Sequence, residues 1–361
     1  MRIFVDIGHP AHVHYFRNFM KIMEGQGHEF YVSARDRYPV KELLDFYEIS
    51  YFNRGKGRNS ILGKIWYMIY IDIVLLFKAI KFKSDFFLSF TGAYTTHVAK
   101  LLNKPSIVFD DTDSETLNRR FYKPFATHIF TPDVFKYDLG EKHIKFKGYM
   151  ELAYLHPNFF ELQNKGHEIL GIEKTTPYVI VRFVNWLANH DYGHNGISEK
   201  NKIKAVKEFS KYAKVFITSE KKLPKELEDY RINIPPQQMH EVIASASLLY
   251  GESATMASES AVLGVPSIYI DNDGRTYTDE EEEKYSIVFN FKETESDVLE
   301  SIKKGIDLLN DDHNYQENRL KILSEKISFT DYLVWIITNY PNSIDKLKND
   351  ANYQNRFVMN N

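Results

Sequence analysis

The chain has 361 residues, enough for two domains of ordinary size, and its hydrophobic (43%) and charged (26%) fractions are those of a folded globular protein. Its 46 Lys and Arg residues nearly balance its 49 Asp and Glu residues, which argues against a general nucleic-acid-binding protein. Because the chain has no cysteine, disulfides, zinc ribbons and thiol catalysis are excluded. The first residues read as a strand and not as a signal peptide, so we expect a cytoplasmic protein.

The first third of the chain predicts alternating strands and helices. An apolar strand at 3–7 leads through the polar turn GHPAH into a helix with an apolar face at 13–24, and a second strand covers 30–33. This βαβ pattern predicts a parallel sheet with helices packed on it. Further strand-like runs at 86–90, 106–109 and 128–131 are each followed by a polar stretch that can start a helix.

The longest apolar run, IWYMIYIDIVLLF at 65–77, is interrupted by Asp72. It is shorter than the about 20 apolar residues that a membrane-spanning helix needs. Basic residues flank the run on both sides: Arg54, Lys56, Arg58, Lys64, Lys78, Lys81 and Lys83. Two interpretations stay open: a buried helix with solvated lysine ends, or a surface helix that lies on anionic lipid. The second would attach the protein peripherally to the inner face of the plasma membrane.

A second series of elements follows the polar stretch 155–177. Strands are predicted at 178–183, 215–218, 248–250, 267–270 and 286–289, and helices at 199–212, 239–246 and 254–264. We therefore predict an α/β protein with two Rossmann-like domains, residues 1–165 and 166–330. Residues 331–361 are predicted to form two short helices, split at Pro341, and a tail that frays over 351–361. The acidic run 280–283 is expected to be a solvated helix face.

The strongest local signal for chemistry is the segment GESATMASE at 251–259. It follows a strand and opens a helix near Ala254, where free backbone N–H groups and the helix dipole favour an anion. Ser253 and Thr255 add hydroxyl donors, and Glu259, one turn further on, could accept hydrogen bonds from sugar hydroxyls. The alternative is an ordinary N-capped helix.

A second signal is the turn after the first strand, which contains His9, His12 and His14. In open α/β sheets this loop lies at the carboxyl edge, where ligands bind. Histidine titrates near neutral pH and suits a general base. A substrate contact, a structural turn and a metal site are the alternatives, although no acidic ligand follows directly.

Three more polar stretches follow predicted strands. Arg182 and His190 could bind phosphate, or belong to an exposed loop. The small-residue turn with Thr91 and Gly92 could hold an acceptor or merely cap a helix. Asp110 opens the acidic stretch DDTDSE, which could hold a cation or a base, or form a helix-capping turn.

These motifs together resemble the DUF354 family of the GT-B superfamily. The matching stretches cover 6–18, 150–160, 182–196, 234–270 and 282–291, and begin with DIGHPAHVHYFRN. The superfamily includes nucleotide-sugar glycosyltransferases and UDP-N-acetylglucosamine 2-epimerases. The resemblance implies a GT-B-like fold, in which an acceptor-side and a donor-side Rossmann-like domain face each other across a cleft. The chain after Asp331 would be a helix that crosses back onto the first domain.

The resemblance also implies roles for individual residues. The implied donor-binding residues are Arg182, His190, Ser253, Ala254, Thr255, Met256 and Glu259, the last of them on the ribose. The acceptor side would use His9, Thr91 and Gly92. His12 occupies the place of the histidine in the Gly-Gly-His turn of MurG-like transferases, and His12 or His14 would deprotonate the acceptor, with Asp110 as a third catalytic candidate.

The expected activity is transfer of a sugar from a nucleotide donor, taken to be UDP-linked, to a surface-glycan or lipid-linked acceptor in polysaccharide biosynthesis. No metal and no separate cofactor are expected. A nucleotide-sugar 2-epimerase is the first alternative. The superfamily's epimerases carry a His-Gly-Asp turn where this chain has Phe90-Thr91-Gly92, which lowers that alternative. A non-catalytic nucleotide-sugar-binding protein of a glycan assembly complex and a phosphotransferase acting on a polyol phosphate stay open, as does the oligomeric state.

Overall fold

The computed structural model describes residues 1–58, 60–114, 116–184, 196–219 and 222–359. Two compact units are present: the first comprises residues 1–154 together with 326–359, and the second comprises residues 155–325. The predicted boundaries were 165 and 330, so both divisions fall earlier in the chain than the composition suggested. The C-terminal segment returns to the first unit.

The elements follow in chain order. The strands are β1 (Arg2–Ile7), β2 (Glu29–Ala34), β3 (Tyr51–Asn53), β4 (Phe86–Phe90), β5 (Ser106–Phe109), β6 (His128–Pro132), β7 (His143–Phe146), β8 (Tyr178–Phe183), β9 (Lys214–Ser219), β10 (Leu248–Gly251), β11 (Ser267–Ile270) and β12 (Val288–Phe291). The helices are α1 (Pro10–Gly25), α2 (Val40–Phe46), α3 (Ile61–Phe82), α4 (Ala93–Leu101), α5 (Thr116–Tyr122), α6 (Leu152–Leu155), α7 (Gly166–Ile169), α8 (Glu199–Phe209), α9 (Met239–Ala244), α10 (Ala254–Leu263), α11 (Thr276–Glu283), α12 (Glu295–Leu309), α13 (Tyr315–Glu325), α14 (Phe329–Thr338) and α15 (Asn342–Asn349). Short 3₁₀ helices cover Lys225–Tyr230, Pro236–Gln238 and Ala351–Phe357.

The first unit is built on a parallel sheet. Within its described residues seven strands pair in the order β3-β2-β1-β4-β5-β6-β7. The central β1 is buried along nearly its whole length, as its apolar sequence predicts. Helix α1 begins where Pro10 occupies its first turn, a position at which the missing N–H of proline is harmless. Its stripe of Phe16, Phe19 and Met23 is buried.

The C-terminal helices pack on this first unit. In α14, Phe329, Leu333 and Ile336 are buried, and the helix lies against α1. This arrangement confirms the helix predicted to return to the first domain. The tail was expected to fray, but it is packed through residue 358: Gln354 Oε1 accepts the Lys147 N–H at 2.7 Å, and Ile327 bridges to Val358. Side-chain contacts hold a segment whose composition suggested disorder.

The second unit contains a smaller parallel sheet. Its described strands pair in the order β12-β11-β10-β8-β9, with an apolar core on its faces. Gly251 at the end of β10 is required by close packing, because a Cβ there would lie 2.1 Å from the Arg182 carbonyl oxygen of β8. The two parallel sheets confirm the predicted α/β class.

Helix α3 combines features of both interpretations of the apolar run, because one side of the helix is buried and the other is exposed. Ile71, Leu75 and Ala79 are buried against the first sheet, while the other side of the helix is exposed. Among the described residues no helix is long and apolar enough to cross a membrane. Arg54, one of the basic residues that flank the apolar run, has its side chain buried against Asp6.

Candidate active site

The carboxyl edge of the first sheet brings two of the predicted turns together. Strands β1 and β4 are neighbours, and the sheet continues from them in opposite directions, which is where open α/β sheets bind ligands. The turn after β1 carries His9 and His12, and the turn after β4 carries Thr91 and Gly92. The His12 ring lies 4.9 Å from the ring of Phe90, the last residue of β4. The two predicted acceptor-side turns therefore share one edge.

His12 is held as a buried, neutral imidazole. Its Nδ1 accepts the backbone N–H of Gly8 at 3.2 Å, so the neutral ring carries its proton on Nε2. Burial, and after it the positive charges of Arg54 and Arg37, lower the pKa of His12 from 6.5 to about 3. This geometry suits donation of the Nε2–H to a substrate oxygen, and it disfavours the general-base role predicted from the sequence.

The burial of His12 predicts acid sensitivity. A histidine whose folded pKa lies below its unfolded value of 6.5 binds its proton first in the unfolded chain, so its contribution to stability is complete above pH 6.5 and is lost as the pH falls towards about 3. For a fully buried group the slope reaches about 1.4 kcal/mol per pH unit. His128, whose pKa burial and Lys348 lower to about 4, adds a smaller loss in the same direction.

Urea unfolding midpoints between pH 7 and about pH 5 measure this effect. The wild-type midpoint should fall with pH, and the pH dependence of the double variant His12→Gln/His128→Gln should be shallower. An unchanged slope in the double variant would assign the acid sensitivity to other groups.

The other histidines of the first turn do not converge with His12. His14 is buried in contact with two aromatic rings, with its ring 5.0 Å from that of Tyr154 and 5.9 Å from that of Tyr47. His9 caps α1, and its Nδ1 accepts the Ala11 N–H at 3.3 Å. Within the described residues no group of three or more His, Asp or Glu side chains is placed to hold a metal ion. The burial of His14 in this aromatic setting does not favour its predicted role as a base.

The turn after β4 is held in a strained conformation. Thr91 has φ +48°, which is unusual for a β-branched residue, and its N–H donates to the Phe109 carbonyl at 2.9 Å. A Cβ at Gly92 would lie 2.4 Å from the Cβ of Ser89, so only glycine fits at the start of α4. Strain of this kind is typical of turns that bind ligands.

Both carboxylate oxygens of Asp110 accept hydrogen bonds from neighbouring groups of the chain. Its Oδ1 accepts the Thr112 N–H at 3.0 Å, and its Oδ2 accepts hydrogen bonds from Arg119 Nε at 3.2 Å and from the Tyr122 hydroxyl. Burial raises the pKa of Asp110, and the Arg119 charge opposes that rise. A fully buried carboxylate with both oxygens engaged suits anchoring the loop after β5 better than the predicted catalytic role.

The second unit presents a helix N-terminus at the corresponding point of its own sheet. Strand β10 lies beside β8, and the sheet continues from them in opposite directions. Ser253 caps α10, and its Oγ accepts the Met256 N–H at 3.4 Å. Ala254 and Thr255 are half-buried, whereas the helix is buried from Ala257 onward. The first-turn amides and the positive end of the helix dipole therefore reach the carboxyl edge, as an anion site requires.

Glu259 is oriented by a residue that sequence reasoning missed. His240 Nε2 lies 3.0 Å from Glu259 Oε1, and both side chains are buried. Helix α9 thus supplies a partner for the carboxylate predicted to hold the ribose. The signal available in the sequence was weak, because a single histidine in a short helix has no distinguishing spacing.

Arg182 lies on β8 at the same edge. Its Nη1 donates to Thr218 Oγ1 at 3.2 Å at the end of β9, and its side chain is half-buried. The second predicted phosphate ligand, His190, lies outside the described residues.

A further carboxylate, Glu252, joins two parts of the chain at this edge. Its Oε2 accepts the Val184 N–H at 2.8 Å and its Oε1 accepts the Ile197 N–H at 2.6 Å. Lys202 Nζ lies 3.7 Å from Oε2. Glu252 therefore anchors the chain after β8 and before α8. The signal available in the sequence was the position of Glu252 directly after a strand.

The loop after β11 adds a cation to this edge. Asp271 Oδ1 accepts the N–H groups of Asp273 and Gly274 at 2.7 and 3.1 Å, which shapes the turn that ends at Arg275. Arg275 Nη1 lies 3.9 Å from Asp271 Oδ2 and is half-buried. Because β11 pairs with β10, Arg275 and the start of α10 lie on neighbouring loops. The run Asp-Asn-Asp-Gly after an apolar strand was the overlooked signal.

Comparison with known proteins identifies the family. Residues 1–340 match the family described as "Protein of unknown function (DUF354)". The chain belongs to the DUF354 family. Over 284 residues this DUF354 chain is 27% identical to the uncharacterized protein MJ0665 of Methanocaldococcus jannaschii, a match that covers 74% of this chain and 80% of that protein.

Solved structures show the fold of this DUF354 chain. A putative UDP-N-acetylglucosamine 2-epimerase from Listeria monocytogenes is similar with a TM-score of 0.70 and 12% identity over 97% of both chains. The spinosyn rhamnosyltransferase SpnG, complexed with thymidine diphosphate, is similar with a TM-score of 0.60 and 12% identity over 94% of this chain and 100% of SpnG. The chain therefore has the predicted GT-B-like fold with two Rossmann-like units, and its structural neighbours include both an epimerase and a glycosyltransferase.

Proposed function

We propose that this DUF354 chain is a glycosyltransferase that moves a sugar from a UDP-linked donor to a surface-glycan or lipid-linked acceptor. The observation that carries the proposal is the Ser253-capped start of α10, which reaches the carboxyl edge at the point where ligands bind in such sheets. The second unit would be the donor side and the first unit the acceptor side. The reaction would belong to polysaccharide biosynthesis in the cytoplasm.

In the transfer step the bond between the anomeric carbon and the diphosphate oxygen breaks, and a bond to the acceptor oxygen forms. The acceptor proton passes to the released diphosphate or to water. Charge that develops on the diphosphate is stabilised by the first amides of α10, by the hydroxyl of Thr255 and by Arg182 and Arg275. Such a set of donors neutralises the leaving group without a metal ion, so the proposed reaction is metal-independent and uses no separate cofactor.

A 2-epimerase is the second candidate, because a protein of that name shares the fold at a TM-score of 0.70. An epimerase needs groups that remove and return a proton at carbon. Asp110 or Asp113 could substitute for the missing acid in the turn after β4. Asp110 is engaged by Arg119 and Tyr122, and Asp113 Oδ1 accepts the Lys136 N–H at 2.8 Å. This engagement favours transfer over epimerisation.

Nucleotide binding is the first experimental test. Among UDP, GDP, CDP, CMP, ADP and dTDP, UDP at 100 times its dissociation constant should stabilise the protein by about 2.7 kcal/mol, measured as a thermal shift without metal. The variant Ser253→Ala/Thr255→Val should lose most of that shift relative to its own unliganded melting temperature. Thr294→Ala, which removes the cap of α12 at the sheet edge, is the matched control and should retain the shift.

Incubation with the donor sugar nucleotide separates the candidates. Conversion that requires an acceptor supports the transferase, and isomerisation of the donor alone would support the epimerase. A thermal shift with a nucleotide, without any turnover of the sugar nucleotide, would indicate a non-catalytic nucleotide-sugar-binding protein. The absence of a shift with every nucleotide would contradict the donor site.

A further inference from the structure

Helix α3 exposes one apolar side. Six large side chains of its described residues lie within about 120° around the helix axis: Leu62, Ile65, Trp66, Ile69, Ile73 and Phe77. Their exposed fractions range from 46% to 75%. We call this set the α3 face. Tyr70 and Ile80 are both more than half exposed: Tyr70 widens this face, and Ile80, which lies within the same about 120°, extends it towards the end of the helix.

The opposite side of α3 is also apolar, and it packs on the first sheet. Ile71 and Leu75 pack on Phe4 and Phe87 of the sheet. A helix that is apolar all round is normally buried on all sides. Here the exposed side chains present on the order of 800 Å² of apolar surface, more than most monomeric proteins expose in one patch. The α3 face therefore has the character of an interaction surface.

The apolar surface continues onto the neighbouring helices. His97 of α4 connects them, because its Nδ1 lies 2.8 Å from Asp72 Oδ2 of α3 and its Nε2 lies 3.0 Å from the Phe121 carbonyl oxygen of α5. Phe121 is exposed, and the exposed Phe125 packs edge-on against the His97 ring. The contacts through His97 bring α5 and Phe125 next to α3.

The charges around this surface are mostly positive. Lys81 and Lys83 are exposed at the end of α3, and Asp72, the one acidic residue of that helix, is engaged by His97. Beyond Phe125, Lys142 Nζ donates to the Pro124 carbonyl at 3.1 Å. Lys142 Nζ also lies 3.5 Å from the Lys123 carbonyl oxygen, which places Lys123 nearby. Burial first, and then the positive charges of Lys100 and Lys123, lower the pKa of Lys142.

We propose that the α3 face and the lysines beside it dock on the surface of an anionic lipid membrane. Helix α3, about 33 Å long, lies in the interface with its apolar side towards the acyl chains and its lysines towards the headgroups. Trp66 and Tyr70 are residue types that prefer this zone. A second copy of the chain is a poorer occupant, because a twofold contact through the same face would bring like-charged lysines together.

Vesicle binding by the full chain tests the proposal. The protein should sediment with phosphatidylcholine vesicles that contain phosphatidylglycerol, and much less with phosphatidylcholine alone. Trp66→Ser/Ile69→Ser/Ile73→Ser should lower the affinity about a hundredfold. Lys81→Gln and Lys83→Gln should each lower it about fivefold at low salt. Trp66 emission should shift to shorter wavelength on binding, and the shift should be absent in Trp66→Phe.

The matched control is Tyr212→Ser/Leu299→Ser/Leu320→Ser, which removes three exposed apolar side chains of the second unit. It should bind vesicles like the wild type. Absence of binding to anionic vesicles at low salt, or equal losses in both triple variants, would overturn the proposal. A dimer in solution that Trp66→Ser dissociates, without vesicle binding, would assign the α3 face to a second copy. Nucleotide shifts measured on the same variants keep this result separate from the proposed donor site.

Discussion

Asp6→Ala is expected to destabilise the first unit by about 3–5 kcal/mol. Asp6 lies buried in the central strand, where its carboxylate accepts hydrogen bonds from Arg54 Nε at 2.9 Å and Nη2 at 3.2 Å. The Ser33 hydroxyl donates to the same carboxylate at 2.6 Å. Removing the Asp6 carboxylate leaves the Arg54 guanidinium charge buried without a counter-charge. This is far more unfavourable than losing an exposed ion pair.

Urea unfolding followed by tryptophan fluorescence measures this loss. In a Trp186→Phe background the remaining tryptophans, Trp66 and Trp335, both belong to the first unit, so the signal reports that unit. The double variant Asp6→Leu/Arg54→Met should recover most of the stability, because it removes both charges. If Asp6→Ala alone loses less than about 1 kcal/mol, the value of an exposed pair, the carboxylate does not anchor the buried Arg54 side chain.

The sequence predicted best those features that local residues determine. Helix α10 begins at Ala254, where a strand end, a serine cap and small residues coincide, and Gly264 ends it in a left-handed conformation. The βαβ order followed from the alternation of apolar runs with polar turns. These signals act within a few residues, so they can be recognised in the sequence without knowledge of the tertiary contacts.

Pairings between distant residues could not be predicted. Arg54 was counted among the basic residues that flank the apolar run, yet its partner Asp6 stands 48 positions earlier in the chain. Glu281 was expected on a solvated face, but it is buried and accepts a hydrogen bond from Ser258 of α10 at 2.6 Å. The neutral state of His12 also could not be predicted, because its burial and the nearby charges of Arg54 and Arg37 arise only in the folded sheet. Charge and burial at a site come from such contacts.

His12→Ala is expected to lower kcat about 10²- to 10³-fold, the effect of removing one hydrogen-bond donor that acts in a transition state. The reason is geometric: with Nδ1 occupied by the Gly8 N–H, the proton of the neutral ring lies on Nε2. Because the pKa of His12 is about 3, the ring stays neutral through the working pH range. The rate should therefore show no limb near pH 6.5 that depends on His12.

His12→Gln distinguishes a donor from a base. A glutamine amide donates a hydrogen bond but does not accept a proton, so His12→Gln should retain much more activity than His12→Ala if His12 is a donor. Equal losses in the two variants, together with an acid limb in the wild type that both remove, would restore the general-base role. His14→Phe is the matched control in the same helix. The aromatic ring introduced by His14→Phe can still pack on Tyr154, so kcat for the folded enzyme should change little. A large loss of kcat in His14→Phe would assign the chemistry to His14 instead of His12.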